Sequence, residues 1–184
     1  MAEKVPEAPD LEGIYAAKIH ADLMEAEQIL GLAGDGYFAG SMFAQVMLAK
    51  GIPGPAESAG GSPLSGADGE AIGKALTALG FDAAKSFKTL TRPFGSAHPD
   101  DAVASRLRLQ IEAVDPFWII ALDRIAAADV ALALGIDVPD FGRPIHIRDR
   151  VVHAVDGFEE ALSDESRKRV IWGQLRKVPR PTGL

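Results

Sequence analysis

The 184-residue chain contains neither cysteine nor asparagine. Without thiols there can be no disulfide, no Cys-ligated zinc, no iron–sulfur cluster and no thiol nucleophile. Histidine is scarce, with His20, His98, His146 and His153 the only four, and no pair has the spacing of a helical zinc motif. Neither a metal centre nor a cofactor is therefore expected. No apolar run reaches the roughly 18–20 residues that cross a bilayer. The opening MAEKVPEAPD lacks a basic flank followed by an apolar stretch, so it does not read as a secretory signal. Both features point to the cytoplasm and to no membrane partner. A basic excess is missing too: the net charge is −7, whereas duplex-binding proteins draw much of their affinity from phosphate neutralisation. The one basic concentration is C-terminal, at Arg167, Lys168, Arg169, Arg176, Lys177 and Arg180. Glu159, Glu160, Asp164 and Glu165 lie just upstream of it, so it reads as a solvated helix face.

What is present is an ordinary globular mixture, 47% hydrophobic and 24% charged, in a length that suits one domain with a real core. Residues 1–9 read as a polar arm, 10–178 as a single domain and 179–184 as a tail. From Asp10, an N-cap, a helical pattern runs to about Leu32 through Ile14, Ile19, Leu23, Ala26 and Leu30. Met42 to Leu48 reads as a buried strand. A glycine-, proline- and serine-rich stretch from Gly51 to Gly69 then reads as a long loop, which in a compact domain is functional or mobile. Glu70 to Leu79 is helical, and Ser86 to Thr91 is a strand stopped by Arg92-Pro93. A helix capped by Asp100 or Asp101 follows, with Val103, Leu107, Ile111 and Val114 along one face. Phe117 to Leu122 (FWIIAL) is the clearest strand, and its continuous apolar character suits a central parallel strand. An alanine-rich helix from Asp123 to Leu134 follows, with Asp123 as its N-cap. Short strands at Ile145–Ile147 and Val151–Val155 precede a last helix capped by Ser163 or Asp164, which Trp172 packs against the sheet.

Strands alternate with helices, so the expected fold is α/β: a three-layer α/β/α sandwich around a central, mainly parallel sheet of about four strands. Ligands in such folds bind at the carboxyl ends of the strands. The loop after Leu48, the segment after Thr91 and the loop after Val155 should therefore meet at one edge as a cleft.

The loop carries a resemblance. Pro53-Gly54 after a buried strand, then Glu57, then Gly61-x-Pro63-x-x-Gly66-x-x-Gly69, resembles the first motif of bacterial and archaeal uracil-DNA glycosylases. Arg92-Pro93 is similar to the Cys-Arg-Pro after their second strand. Leu107 to Gly135 resembles their helix–Pro–strand–helix unit, and Val152-His153 followed by Arg169 to Leu175 resembles the region of their His-Pro-Ser motif. The resemblance covers about residues 40–178. It implies that fold, a DNA-repair descent and a pocket that takes an unstacked base. The implied ligand-binding positions are Gly51, Ile52, Pro53, Gly54, Glu57, Leu64, Phe87 and His153.

The chain departs from the family at the positions that do the chemistry. The acidic residue two places before Pro-Gly is Gly51 here, the aromatic that stacks on uracil is Leu64, and the asparagine that reads the uracil edge falls at Phe87. The cluster cysteines are absent. His153 matches, but within His-Ala-Val-Asp-Gly. An imidazole there could support charge on a leaving base, or it could serve only within the fold. Asp156, beside Gly157, could act as acid or base next to His153, or simply form a turn. Glu57 and Asp68 are solvated loop charges or substitute carboxylates. Pro53, Gly54, Gly61 and Gly66 serve backbone turns ahead of ligand contact. Ordinary uracil excision is accordingly not expected. Three functions stay open: a protein that retains a nucleobase- or nucleic-acid-binding cleft, a non-catalytic scaffold for another protein, and a divergent glycosylase acting on a different base or nucleoside through His153, Asp156 or Glu57.

Overall fold

The computed structural model describes residues 10–34 and 36–180. The expected arm over 1–9 and residues 181–184 of the expected tail lie outside the described residues. Asp10 caps the first helix as its position suggests, its carboxylate accepting the Gly13 N–H at 3.0 Å. Helix α1 runs Leu11–Ile29. Then come β1 (Phe38–Gly40), β2 (Val46–Lys50), α2 (Pro55–Ser58), α3 (Ala67–Ala78), β3 (Ser86–Leu90), α4 (Asp100–Val114), β4 (Trp118–Ala121) and α5 (Arg124–Leu134). The chain closes with β5 (Ile145–Ile147), β6 (Arg150–Ala154), α6 (Phe158–Ala161) and α7 (Glu165–Leu175).

The strands form one mixed sheet of six, in the order β1-β3-β2-β4-β6-β5, rather than about four. The pairs β3–β2, β2–β4 and β4–β6 are parallel. The two edge strands, β1 and β5, are antiparallel. Both are three residues long, and β1, too short for a period-two pattern, carries no signal in the sequence.

Side chains alternate across the sheet because successive residues of a strand face opposite ways. Met47, Ala49, Phe87, Ile119, Ala121, Val152 and Ala154 face α1, α4 and α5, where they pack on Leu23, Leu107, Ile111, Ala127 and Val130. Val46, Leu48, Trp118, Ile120, Val151 and Val155 face α3, α6 and α7, against Ile72, Leu76, Phe158, Ile171 and Leu175. The first helical layer is held by a sealed ion pair. Arg106 grips Glu27 through Nε and Nη2, each at 3.0 Å, and donates to the Leu90 carbonyl at 2.7 Å. Gln110 completes the group, donating to Glu27 at 2.7 Å.

Three local expectations are corrected. The stretch 51–69 is not wholly loop: Gly54 and Pro55 start α2, where Pro at the first turn forfeits only an N–H that has no helical partner. Helix α3 begins at Ala67, before Glu70. The strand expected at Met42–Leu48 lies at Val46–Lys50, so a lysine ends an otherwise apolar run. Among the described residues no helix is long and apolar enough to cross a membrane.

Candidate functional site

Strand β2 has neighbours on both sides, with its successor β3 on one and β4 on the other. Chain direction across the sheet therefore reverses between β2 and β4, and the crevice beyond their carboxyl ends is the place where open α/β sheets bind ligands. Lys50 is the last residue of β2, and its side chain is 5% exposed. Its ammonium meets three carboxylates: Asp68 at 2.6 Å, Glu159 at 2.9 Å and Glu57 at 3.1 Å. Burial disfavours the charge on Lys50, but the bonds it donates to Asp68, Glu159 and Glu57 outweigh that and hold the group above its ordinary pKa. Lys50 is thus a fixed cation and not a nucleophilic amine.

Glu57 organises the loop around that cation. Besides Lys50 it accepts the Gly54 N–H at 3.0 Å and the Leu64 N–H at 2.8 Å. Burial favours its neutral form, yet the Leu64 N–H and Lys50 together hold its carboxyl below the usual range. Leu64 takes a left-handed backbone, φ 55°, which the bond to Glu57 helps to hold. Its side chain, 3% exposed, forms an apolar wall. Gly54 leaves room for the cluster, since a β-carbon there would collide with Glu159 and the Lys50 ammonium.

At the end of β4, Asp123 caps α5 by accepting the Ala126 N–H at 2.8 Å, and it also accepts the Gly51 N–H at 2.7 Å. Burial pushes its carboxyl up, against the pull of those donors. Beyond β6, Asp156 is held by Arg124 through two bonds of 2.8 and 2.7 Å, while its own N–H donates to Gln174 at 3.0 Å. These three strand ends enclose a pocket of ≈ 280 Å³. Its wall carries Lys50, Arg124 and Arg167 against Asp68, Asp123, Asp156, Glu159 and Glu160. Carboxylates therefore outnumber cations, and the pocket suits a neutral or cationic hydrogen-bond donor better than a phosphate.

Of the positions singled out from the sequence, Ile52, Leu64 and Asp156 line this pocket. Gly51 and Gly54 lie beside it, touching Asp123 and the Lys50 cluster. Ile52 is 46% exposed and Pro53 is half-buried. Glu57 stands behind the wall as the partner of Lys50. Phe87 sits on the opposite face of the sheet, stacked on Phe38 at 5.7 Å. His153 is sealed under α7, its Nε2 donating to the Gln174 carbonyl at 3.0 Å. Desolvation, only partly offset by that bond and reinforced by Lys177, lowers its pKa to about 4. Its Nδ1 has no protein partner. Trp172 does not pack inward as expected but is 38% exposed.

Lys50, Glu159 and Arg124 escaped the sequence reading. A lysine closing an apolar strand before Gly51 was the one available signal, because a buried charge needs partners. Glu159 and Arg124 sit among ordinary surface charges and give none. Among the described residues no cluster of three or more His, Asp or Glu is placed to hold a metal ion. No protein-family model matches the chain, and no curated protein matches it.

Proposed function

We propose that this chain is a uracil-DNA glycosylase-like protein of DNA-repair descent that keeps a nucleobase-binding cleft and does not carry out ordinary uracil excision. The observation that carries this reading is the pocket between β2, β4 and the turn after β6, where the glycine-rich loop and Asp156 meet. Its small volume and apolar Leu64 wall suit one flat ring, and its surplus of carboxylates suits a base with N–H donors. A phosphate backbone would be repelled by the same wall.

The chemistry of excision finds little support at this site. Gly51 brings no carboxylate, Leu64 no aromatic face and Phe87 no amide. His153, with a pKa of about 4, is uncharged at neutral pH and is enclosed under α7. Of His153 and Asp156, only Asp156 lines the pocket, and its pairing with Arg124 favours a positioning role.

Calorimetric titration with free bases and nucleosides tests the reading. Binding of a base that is lost in Leu64→Arg, a substitution that fills the pocket, is the expected result. No binding of any base would overturn it. In parallel, uracil-containing oligonucleotides treated with the protein and then alkali should remain intact, and strand scission would restore excision. The alternative of a protein-interaction scaffold draws on α1, where Leu11, Ile14 and Tyr15 are each 58% exposed.

A further inference from the structure

A second cavity opens at the other end of the sheet, beside the first residues of the parallel strands. It measures ≈ 800 Å³, within the range of small-molecule sites. Trp118 and Phe117 form its floor, their rings 4.4 Å apart and tilted by 60°. Phe81 meets Trp118 edge-on at 5.1 Å and 82°, and Phe43 closes one side. Phe43 and Phe117 are 48% and 46% exposed. Large aromatic surface left in water around a concavity marks a place where apolar contact would be gained.

The rim has the opposite charge character to the Lys50 pocket. Lys85, Arg180 and His146 line the cavity, and among the described residues that line it Asp82 is the one carboxylate. Asp82 does little to neutralise Lys85, because their contact is 3.6 Å long between side chains that are 57% and 75% exposed. The indole N–H of Trp118 is already engaged, donating to the Pro179 carbonyl at 3.0 Å. The floor therefore offers ring faces and edges, and the polar selection falls to the cationic rim.

We propose that this cavity is a binding site for a flat aromatic anion, with the ring over Phe117 and Trp118 and the carboxylate turned out to Lys85 and Arg180. The site is independent of the nucleobase pocket and does not depend on that reading.

Naphthoate, naphthalenemethanol and naphthylmethylammonium present the same ring with negative, neutral and positive heads. Calorimetry gives their affinities. The Trp118 indole N–H resonance of nitrogen-labelled protein, in a Trp172→Phe background that leaves a single tryptophan, reports the location. Naphthoate should shift that resonance and bind about fivefold more tightly than the alcohol, the gain expected of two exposed cations. Added salt should narrow the difference. The double variant Lys85→Glu, Arg180→Glu alters exposed residues only and should turn the preference toward the ammonium. Phe117→Ala should weaken all three ligands. Naphthoate binding no tighter than the alcohol, a preference unmoved by charge reversal, or binding without a Trp118 shift would each overturn the proposal.

Discussion

The Lys50 ammonium lies 2.6 Å from the Asp68 carboxylate, and both side chains are almost sealed from water. With Glu57 at 3.1 Å and Glu159 at 2.9 Å, this one cation ties the end of β2 to the start of α2, to α3 and to α6. Removing it would leave buried carboxylates facing one another.

Lys50→Met should therefore cost about 3–5 kcal/mol, the range for breaking one side of a buried ion pair, measured by urea denaturation at neutral pH. The pH dependence separates the two proteins. In the wild type, Glu57 titrates lower folded than unfolded, so its contribution is present above the unfolded pKa and is lost as pH falls through the folded one. In Lys50→Met the lowering that Lys50 gives Glu57 is lost while burial still favours its neutral form, so the variant should recover part of its deficit as the medium is acidified. A variant within about 1 kcal/mol of wild type would show that the cluster contributes little.

Gly51→Ala probes the join between β2 and β4. A β-carbon at Gly51 would stand 2.6 Å from Asp123 Oδ1 and 2.7 Å from Ile125 Cβ. Asp123 is anchored by two backbone donors and cannot swing clear. A loss of about 1–3 kcal/mol is expected, as for other forced overpacking, with reduced ligand affinity at the pocket. Unchanged unfolding and binding would mean that the two strand ends can part freely.

His153 gives a sign-specific prediction. Its folded pKa is about 4, below the ordinary 6.5, so between those values the unfolded chain binds a proton that the folded chain refuses. Stability should fall as pH drops from 6.5 to 4, by about 3 kcal/mol in all, and this group adds nothing further below that window. His153→Gln retains a donor for the Gln174 carbonyl and should flatten the slope. An equal slope in the variant would assign the pH dependence elsewhere.

The sealed Glu27–Arg106 pair predicts a non-additive cycle. Arg106→Leu alone strands Glu27 in the interior and should cost about 3–5 kcal/mol. The double variant with Glu27→Met removes both charges and should be far less harmful. Additive losses would mean that Glu27 is satisfied without Arg106.

Local pattern was enough for most of the elements. Asp10, Asp123 and Asp164 announce their helices because a capping carboxylate acts within three residues of itself, and FWIIAL announces β4 because a strand covered on both faces is apolar throughout. Tertiary structure decided the rest, since it depended on partners remote in sequence. Every residue of β6 after Arg150 is buried, so no contrast between faces showed that His153 turns under α7 and away from the cleft. Likewise the Glu159 carboxylate reaches Lys50 only once β6 lies beside β4 and α6 folds over the strand ends. Sequence fixes which residues can form a helix or a strand, because those interactions span a few positions. Which charges share an interior is settled by strand order, because only packing brings distant carboxylates within reach of one ammonium.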